Sequence, residues 1–241
     1  MRCDYIASRA HRRPAASYGV GVYVPHFNAL DDVDAIDAMV RSAGAGDLVT
    51  ADADGVPYAT RLPLVWLRGE SRVIAHMAIG NPHWRKIAED APALLVVSGP
   101  QAYVSPSWYA SKMEHGRVVP TWNYSRVELR GTVRVRREPE WLREAVTILT
   151  DLHERSRTQP WAVTDAPAPF VDGQLRGIVG IEVRVTSVEG KAKLSQNRSQ
   201  ADRTGVVRGL RGDVGAEVEA IADAMEAHSS ATPAPDTGSN T

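Results

Sequence analysis

The run from Tyr58 to Lys86 constrains the fold more than any other part of the chain. Tyr58-Ala-Thr-Arg-Leu-Pro-Leu-Val-Trp66 and Arg72-Val-Ile-Ala-His-Met-Ala78 are β-rich segments on either side of a short polar turn at Gly69. That spacing predicts an antiparallel hairpin. Pro63 has no N–H to give to a ladder, so the first strand is expected to sit at an edge or a bulge there. A helix is predicted to open at Asn81-Pro82, with Asn81 as its cap and Pro82 at its first position. Its free backbone N–H groups, with Arg61, His83, Arg85 and Lys86 nearby, suit a phosphate. The same residues also suit an ordinary hairpin packed on an ordinary helix.

The rest of the chain extends this pattern. Asp31 to Ala43 reads as an amphipathic helix with Val33, Ile36, Met39 and Val40 on one face and Gly44 as its stop. Asp47–Ala51 reads as a strand, Asp54-Gly55 as the turn into the hairpin, and Ala93–Ser98 as a strand bounded by Pro92 and Gly99-Pro100. Strands joined by such short turns indicate an antiparallel sheet rather than βαβ units. Ser125–Arg136 is a further strand. Glu138-Pro139 opens a long helix to about Arg155, with Leu142, Ala145, Val146, Leu149 and Leu152 on its apolar face. His153-Glu154 at its end reads as a C-terminal cation and a solvated neighbour, not a metal pair. Ile178–Val188 alternates as a strand, and Ser199–Arg208 reads as a short helix. The expectation is therefore a mainly β, α+β fold with peripheral helices.

Composition decides several exclusions. The 241 residues are 43% hydrophobic and 24% charged, which is enough to bury a sizeable core. No apolar run reaches membrane-span length. The single cysteine, Cys3, precludes an internal disulfide and points to a reducing, cytoplasmic setting. The formal charge of −1 supplies no field for nucleic acid. Residues 1–21 are rich in Arg, Ala and Ser and have no apolar h-region, so they are expected to lie outside the domain, with a true start near Val22. Without them the chain loses four arginines and one aspartate, and the charge moves from −1 to −4. From 212 onward an acidic, then Ser/Pro/Ala-rich, tail is expected to be disordered, with a short helix possible over Glu217–Ala227. The domain is thus expected over 22–211. Cys/His metal spacing, a G-x-S-x-G elbow, a strand-linked G-x-G-x-x-G and a P-loop are all missing.

Aromatic residues make up 6% of the chain, yet Trp108, Tyr109, Trp122 and Tyr124 gather between Ser98 and Gly131. Rings with a polar handle suit pocket walls and subunit seams equally. Five segments together resemble the PaiB-like family of FMN-binding negative transcriptional regulators. They are Tyr23-Val-Pro-His-Phe27, Gly80-Asn-Pro-His-Trp-Arg85, Gly99 to Tyr109, Val119-Pro-Thr-Trp-Asn-Tyr124 and Glu189 to Asn197, and the match runs from about Val22 to Leu210. The resemblance implies an antiparallel split β-barrel, akin to the pyridoxamine-phosphate-oxidase-like fold, working as a homodimer with FMN at the subunit interface. It implies FMN contacts from Thr60, Arg61, Leu62, Pro63, His76, Asn81, Trp84 and Arg85. The partner would add Trp122, Asn123 and Tyr124, with Lys191 and Lys193. His76 also suits an ordinary strand histidine. Three activities stay open. The flavoprotein is a transcriptional regulator, acting directly on DNA or indirectly. Alternatively it is an oxidoreductase that uses FMN on a small-molecule substrate. A weaker reading is haem binding through His76, His83 or His115. No acid, base or nucleophile stands out.

Overall fold

The computed structural model describes residues 23–231, with side chains from 23 to 228. The extension 1–21 and the last ten residues of the chain lie outside the described residues. Seven strands are present: β1 (Ala29–Leu30), β2 (Ala45–Ala51), β3 (Pro57–Leu67), β4 (Arg72–Ala78), β5 (Ala91–Val104), β6 (Thr121–Arg136) and β7 (Ile178–Lys193). All pairings are antiparallel. The order is β1-β7-β4-β3-β2-β5-β6, and β6 returns to pair with β7. Six strands therefore close into a ring, with β1 added at the end of β7. This is the expected antiparallel barrel with peripheral helices.

Local chemistry explains the elements. Helix α1 (Val33–Ala43) starts where the Asp32 carboxylate accepts from the Asp34 and Ala35 N–H groups, and ends at Gly44 with φ +60°. The turn between β2 and β3 is held by Asp52 Oδ1, which accepts from the Asp54 and Val56 N–H groups. Strand β5 runs past the expected stop at Gly99-Pro100. The chain accommodates Pro100, which lacks an N–H, in a bulge between Ser98 and Gln101, and pairing with β6 then resumes. The segment Pro82–Lys86 is a single 3-10 turn rather than a helix. Asn81 does cap it, but the chain extends again at Ile87.

Alternation along the strands fills the barrel with Leu48, Leu62, Leu95, Val127, Leu129, Ile181 and Val183. A second cluster lies outside β4 and β7, under α3 (Pro139–Glu154) and α4 (Ala168–Leu175), around Ile74, Trp141, Leu142, Leu149 and Leu175. Trp141 lies flat on Gly180, where an added Cβ would come within 2.0 Å of its ring. A third cluster closes the far end, where α5 (Gln200–Arg211) and α6 (Ala216–Ala231) pack on Val104, Tyr109 and Leu194.

This third cluster corrects the domain boundary. The tail placed beyond 211 begins with a packed helix, because Ile221, Ala222 and Met225 are buried on one face against Val206 and Leu210. The acidic residues that gave the segment its disordered look occupy the other face, and Arg211 pairs with Asp223 and Glu226.

Candidate functional site

The ring is incomplete in one place. Strands β3 and β4 pair only where Leu64–Leu67 face Arg72–Ala75, although β3 extends back to Pro57 and β4 on to Ala78. Continuing the register would set Pro63 opposite His76, and Pro63 has no N–H to offer. The strands part there. From Pro57 to Pro63, β3 pairs only with β2, and the backbone edge turned toward β4 is free of ladder bonds. Across the split, His76 pairs through its backbone with Gly180 on β7, and its side chain alternates to the outside of the barrel. Its Nδ1 is buried with no hydrogen-bond partner, and burial lowers its pKa. A bare polypeptide edge and an unpaired imidazole nitrogen thus meet at one opening.

His83 plugs the barrel beside this opening. Its Nε2 lies 2.9 Å from the Thr50 hydroxyl and its Nδ1 2.8 Å from the Thr60 hydroxyl, and its ring stacks on Tyr58. The Asn81 amide N–H donates to Thr60 Oγ1, and Asn81 Oδ1 accepts from the His83 N–H. The Asn81 side chain, expected near the flavin, is thus engaged with Thr60 and His83, while for Thr60 the resemblance places the backbone, not the hydroxyl, beside the cofactor. Both side chains are turned inward and engaged with His83, so only the backbone of Thr60 faces outward business. Leu62 also belongs to the core, and only its backbone is available. Trp84 donates to the Ile79 carbonyl, and the guanidinium groups of Arg85 and Arg137 lie 4.4 and 5.6 Å from its ring.

Arg61 and Pro63 point outward from β3. Arg61 is exposed and 3.3 Å from Asp47. The register continues this row across the outer face of the sheet as Arg61, Asp47, Val96, Glu128 and Glu189. At its far side lie the remaining expected residues. Trp122 is exposed, edge-on to Tyr103, and donates to Gln101. Lys191 lies between the Tyr23 and Tyr124 rings, and Lys193 donates to the Thr121 hydroxyl. Asn123 departs from this set. It is 0% exposed, points the other way and bonds Ser195 within the third cluster, so it holds β6 from behind.

The two groups share a face without meeting. Strands β2 and β5 lie between β3 and β6, which sets the groups roughly 14 Å apart at the usual strand spacing. The middle of that face is apolar, with Val49, Leu94 and Val96 between the charged rows. Glu128 is a buried carboxylate there, clamped by Arg126 and Arg130, and Arg130 also reaches Glu189. Sequence reading missed this network. Its only signal was the outward half of the alternation in Ser125-Arg-Val-Glu-Leu-Arg-Gly131. The candidate haem ligands do not converge. His83 is satisfied by two hydroxyls, His76 is on β4, and His115, at the end of helix α2 (Ser111–His115), accepts from the Arg117 N–H.

An antiparallel ring that opens at one strand pair, beside a face carrying cations and aromatics, defines a split-barrel protein. The chain belongs to the FMN-binding family described as "Putative FMN-binding domain", which matches residues 22–187. It is 31% identical over 207 residues to the protease synthase and sporulation protein PAI 2 of Bacillus subtilis, covering 85% of this chain and 97% of that protein. An uncharacterized protein of Emericella nidulans is 33% identical, covering 78% of this chain and 90% of its own length. Among solved structures, a conserved hypothetical protein, Rv2991 from Mycobacterium tuberculosis, shares the fold at 14% identity and a TM-score of 0.51, covering 74% of this chain and 95% of that one. A FAD and heme binding protein from Mycobacterium smegmatis does so at 17% identity and a TM-score of 0.50, covering 69% and 73%. FMN is the cofactor of the family, and the residues here fit it. The open β3 edge suits the hydrogen-bonding rim of an isoalloxazine, His76 Nδ1 lacks a partner beside it, and cationic side chains stand within the same face. Among the described residues no helix is long and apolar enough to cross a membrane.

Proposed function

We propose that two copies of this chain pair through the outer face of β3-β2-β5-β6, with one FMN at each end of the shared seam. The observation that carries this reading is the separation of the two candidate groups on one face. A two-fold contact is self-complementary, so it brings one protomer's β3 edge to the other's β6–β7 edge. The backbone of Thr60–Pro63 and His76 then hold the ring edge, while Arg61 and Arg85 face the phosphate. Trp122, Tyr124, Lys191 and Lys193 of the second copy cover the opposite side. When bound, FMN supplies hydride or single-electron transfer. The protein's part is to fix the ring, exclude water from one face and set the charge around it.

The activity we attach to this cytoplasmic dimer is regulation of transcription, as the resemblance implies and as the naming of the Bacillus relative for protease synthesis and sporulation supports. The acidic balance of the chain without residues 1–21 favours an indirect route, through a small molecule or a partner protein. Reduction of a small-molecule substrate is the second reading, favoured by the exposed Trp122–Tyr103 pair that would wall a pocket over the flavin.

Native mass spectrometry of protein purified without added flavin tests the arrangement directly. A dimer carrying two FMN is expected. A monomer that stays flavin-free in excess FMN would overturn the proposal. Arg61→Ala is expected to lower flavin retention at an unchanged melting temperature. Retention of promoter DNA by the purified dimer, against bleaching of its colour by NAD(P)H, separates the two activities.

A further inference from the structure

A cavity of about 570 Å³ lies outside the barrel, where β4 ends, β7 begins and α3 and α4 start and stop. That volume is within the range of small-molecule sites, about 300–1,000 Å³. Its floor is apolar: Ile79, Leu142, Leu175 and Ile178. Its rim carries Arg137 and Arg176, with Asp172 and Pro139. The charges do not cancel. Asp172 is held by Arg143, and the neighbouring Glu138 by Arg136, so both nearby carboxylates are neutralised by other arginines. The Arg137 backbone N–H donates to Glu138, but its guanidinium makes only its contact with the Trp84 ring, and neither Arg137 nor Arg176 forms an ion pair among the described residues.

We propose that this cavity is a binding site for a small organic anion, a carboxylate or phosphate ester on an apolar body. The body rests on the two isoleucines and two leucines, and the anion is gripped by the forked donors of Arg137 and Arg176. An apolar floor alone would take neutral compounds, and two surface arginines alone would take any ion. The juxtaposition selects molecules with both parts. The site does not depend on where the flavin lies, although Trp84 and Ile79 tie its wall to the strand that carries His76.

The test uses the full-length, flavin-loaded protein with labelled Ile and Leu methyl groups. Benzoate is the probe, with benzamide as its neutral isostere and inorganic phosphate as the bare anion. Benzoate is expected to shift the methyls of Ile79, Leu142, Leu175 and Ile178. Benzamide and phosphate are each expected to bind roughly tenfold or more weakly, the scale of losing one charge-assisted contact or the apolar body. Arg137→Gln with Arg176→Gln should weaken benzoate by a similar factor while FMN content and melting temperature hold. Arg176→Gln alone, at the exposed end of α4, gives the same direction if the double variant is unstable. Equal binding of benzamide, equal binding of phosphate, an unchanged affinity in the variants, or methyl shifts elsewhere would each overturn the proposal. So would loss of FMN from the double variant, which would assign the two arginines to the flavin's own phosphate.

Discussion

His83 carries the clearest single-residue consequence. Both ring nitrogens face hydroxyls and the ring is buried, so the neutral form is favoured and its pKa lies below the ordinary value near 6.5. His76 is shifted the same way by burial. Above pH 6.5 neither residue takes up a proton on unfolding. Below it the unfolded chain binds protons that the folded chain refuses, so stability falls as the pH drops toward the lower folded values. Urea titrations between pH 7.5 and 5 are expected to show this decline. In His83→Gln the slope should shrink by up to one bound proton, and an unaltered slope would show that the residue is not held neutral. The side-chain roles of Thr60 and Asn81 were not legible from sequence for the same reason. A hydroxyl on one strand and an amide before a turn give no sign of the histidine they serve until the fold brings all three together.

At the scale of elements, the split was legible and the plug was not. Pro63 announced an interrupted ladder from its missing N–H alone, and the break falls where Pro63 would meet His76. Nothing local marked Pro82–Lys86 as a single turn, because the cap at Asn81 is the same for a turn and a helix. The open edge is testable by hydrogen exchange. Amides of Tyr58 to Leu62 that point away from β2 are expected to exchange fast in flavin-free protein and to slow when FMN binds, while Leu48 and Leu95 amides stay unchanged. Equal protection in both states would remove β3 from the flavin site. Helix α6 gives a second prediction. Sequence composition hid it, since Glu217, Glu219, Asp223 and Glu226 outweigh the few apolar residues that meet at i, i+1 and i+4: Ile221, Ala222 and Met225. Ile221 is fully buried, so Ile221→Ala should cost about 2–5 kcal/mol in denaturant unfolding. A loss below about 0.5 kcal/mol, the range of surface substitutions, would mean the helix is not part of the folded unit.

For the whole molecule, the outer face of the barrel decides whether one chain suffices. The resemblance could place the flavin contacts in two groups, but only the strand order β3-β2-β5-β6 shows that both lie on the same face with two strands between them. Topology of that kind is set by which strands find one another across the chain, and no local pattern records it. Val96 sits in the row joining Asp47 to Glu128, in the apolar middle of the face. In a two-fold contact each substitution is presented twice, so Val96→Arg would introduce two cations beside the Arg126 and Arg130 groups of a face that is otherwise charge-balanced. Light scattering should then report a 26.2 kDa monomer in place of a dimer, and the flavin should be lost with it, because each site would keep only its β3 half. Glu144→Arg, on the exposed side of α3, is the matched control and should leave both properties intact. A Val96→Arg protein that is monomeric yet still yellow would place the entire site within one chain, and the partner's aromatic and lysine residues would drop out of it.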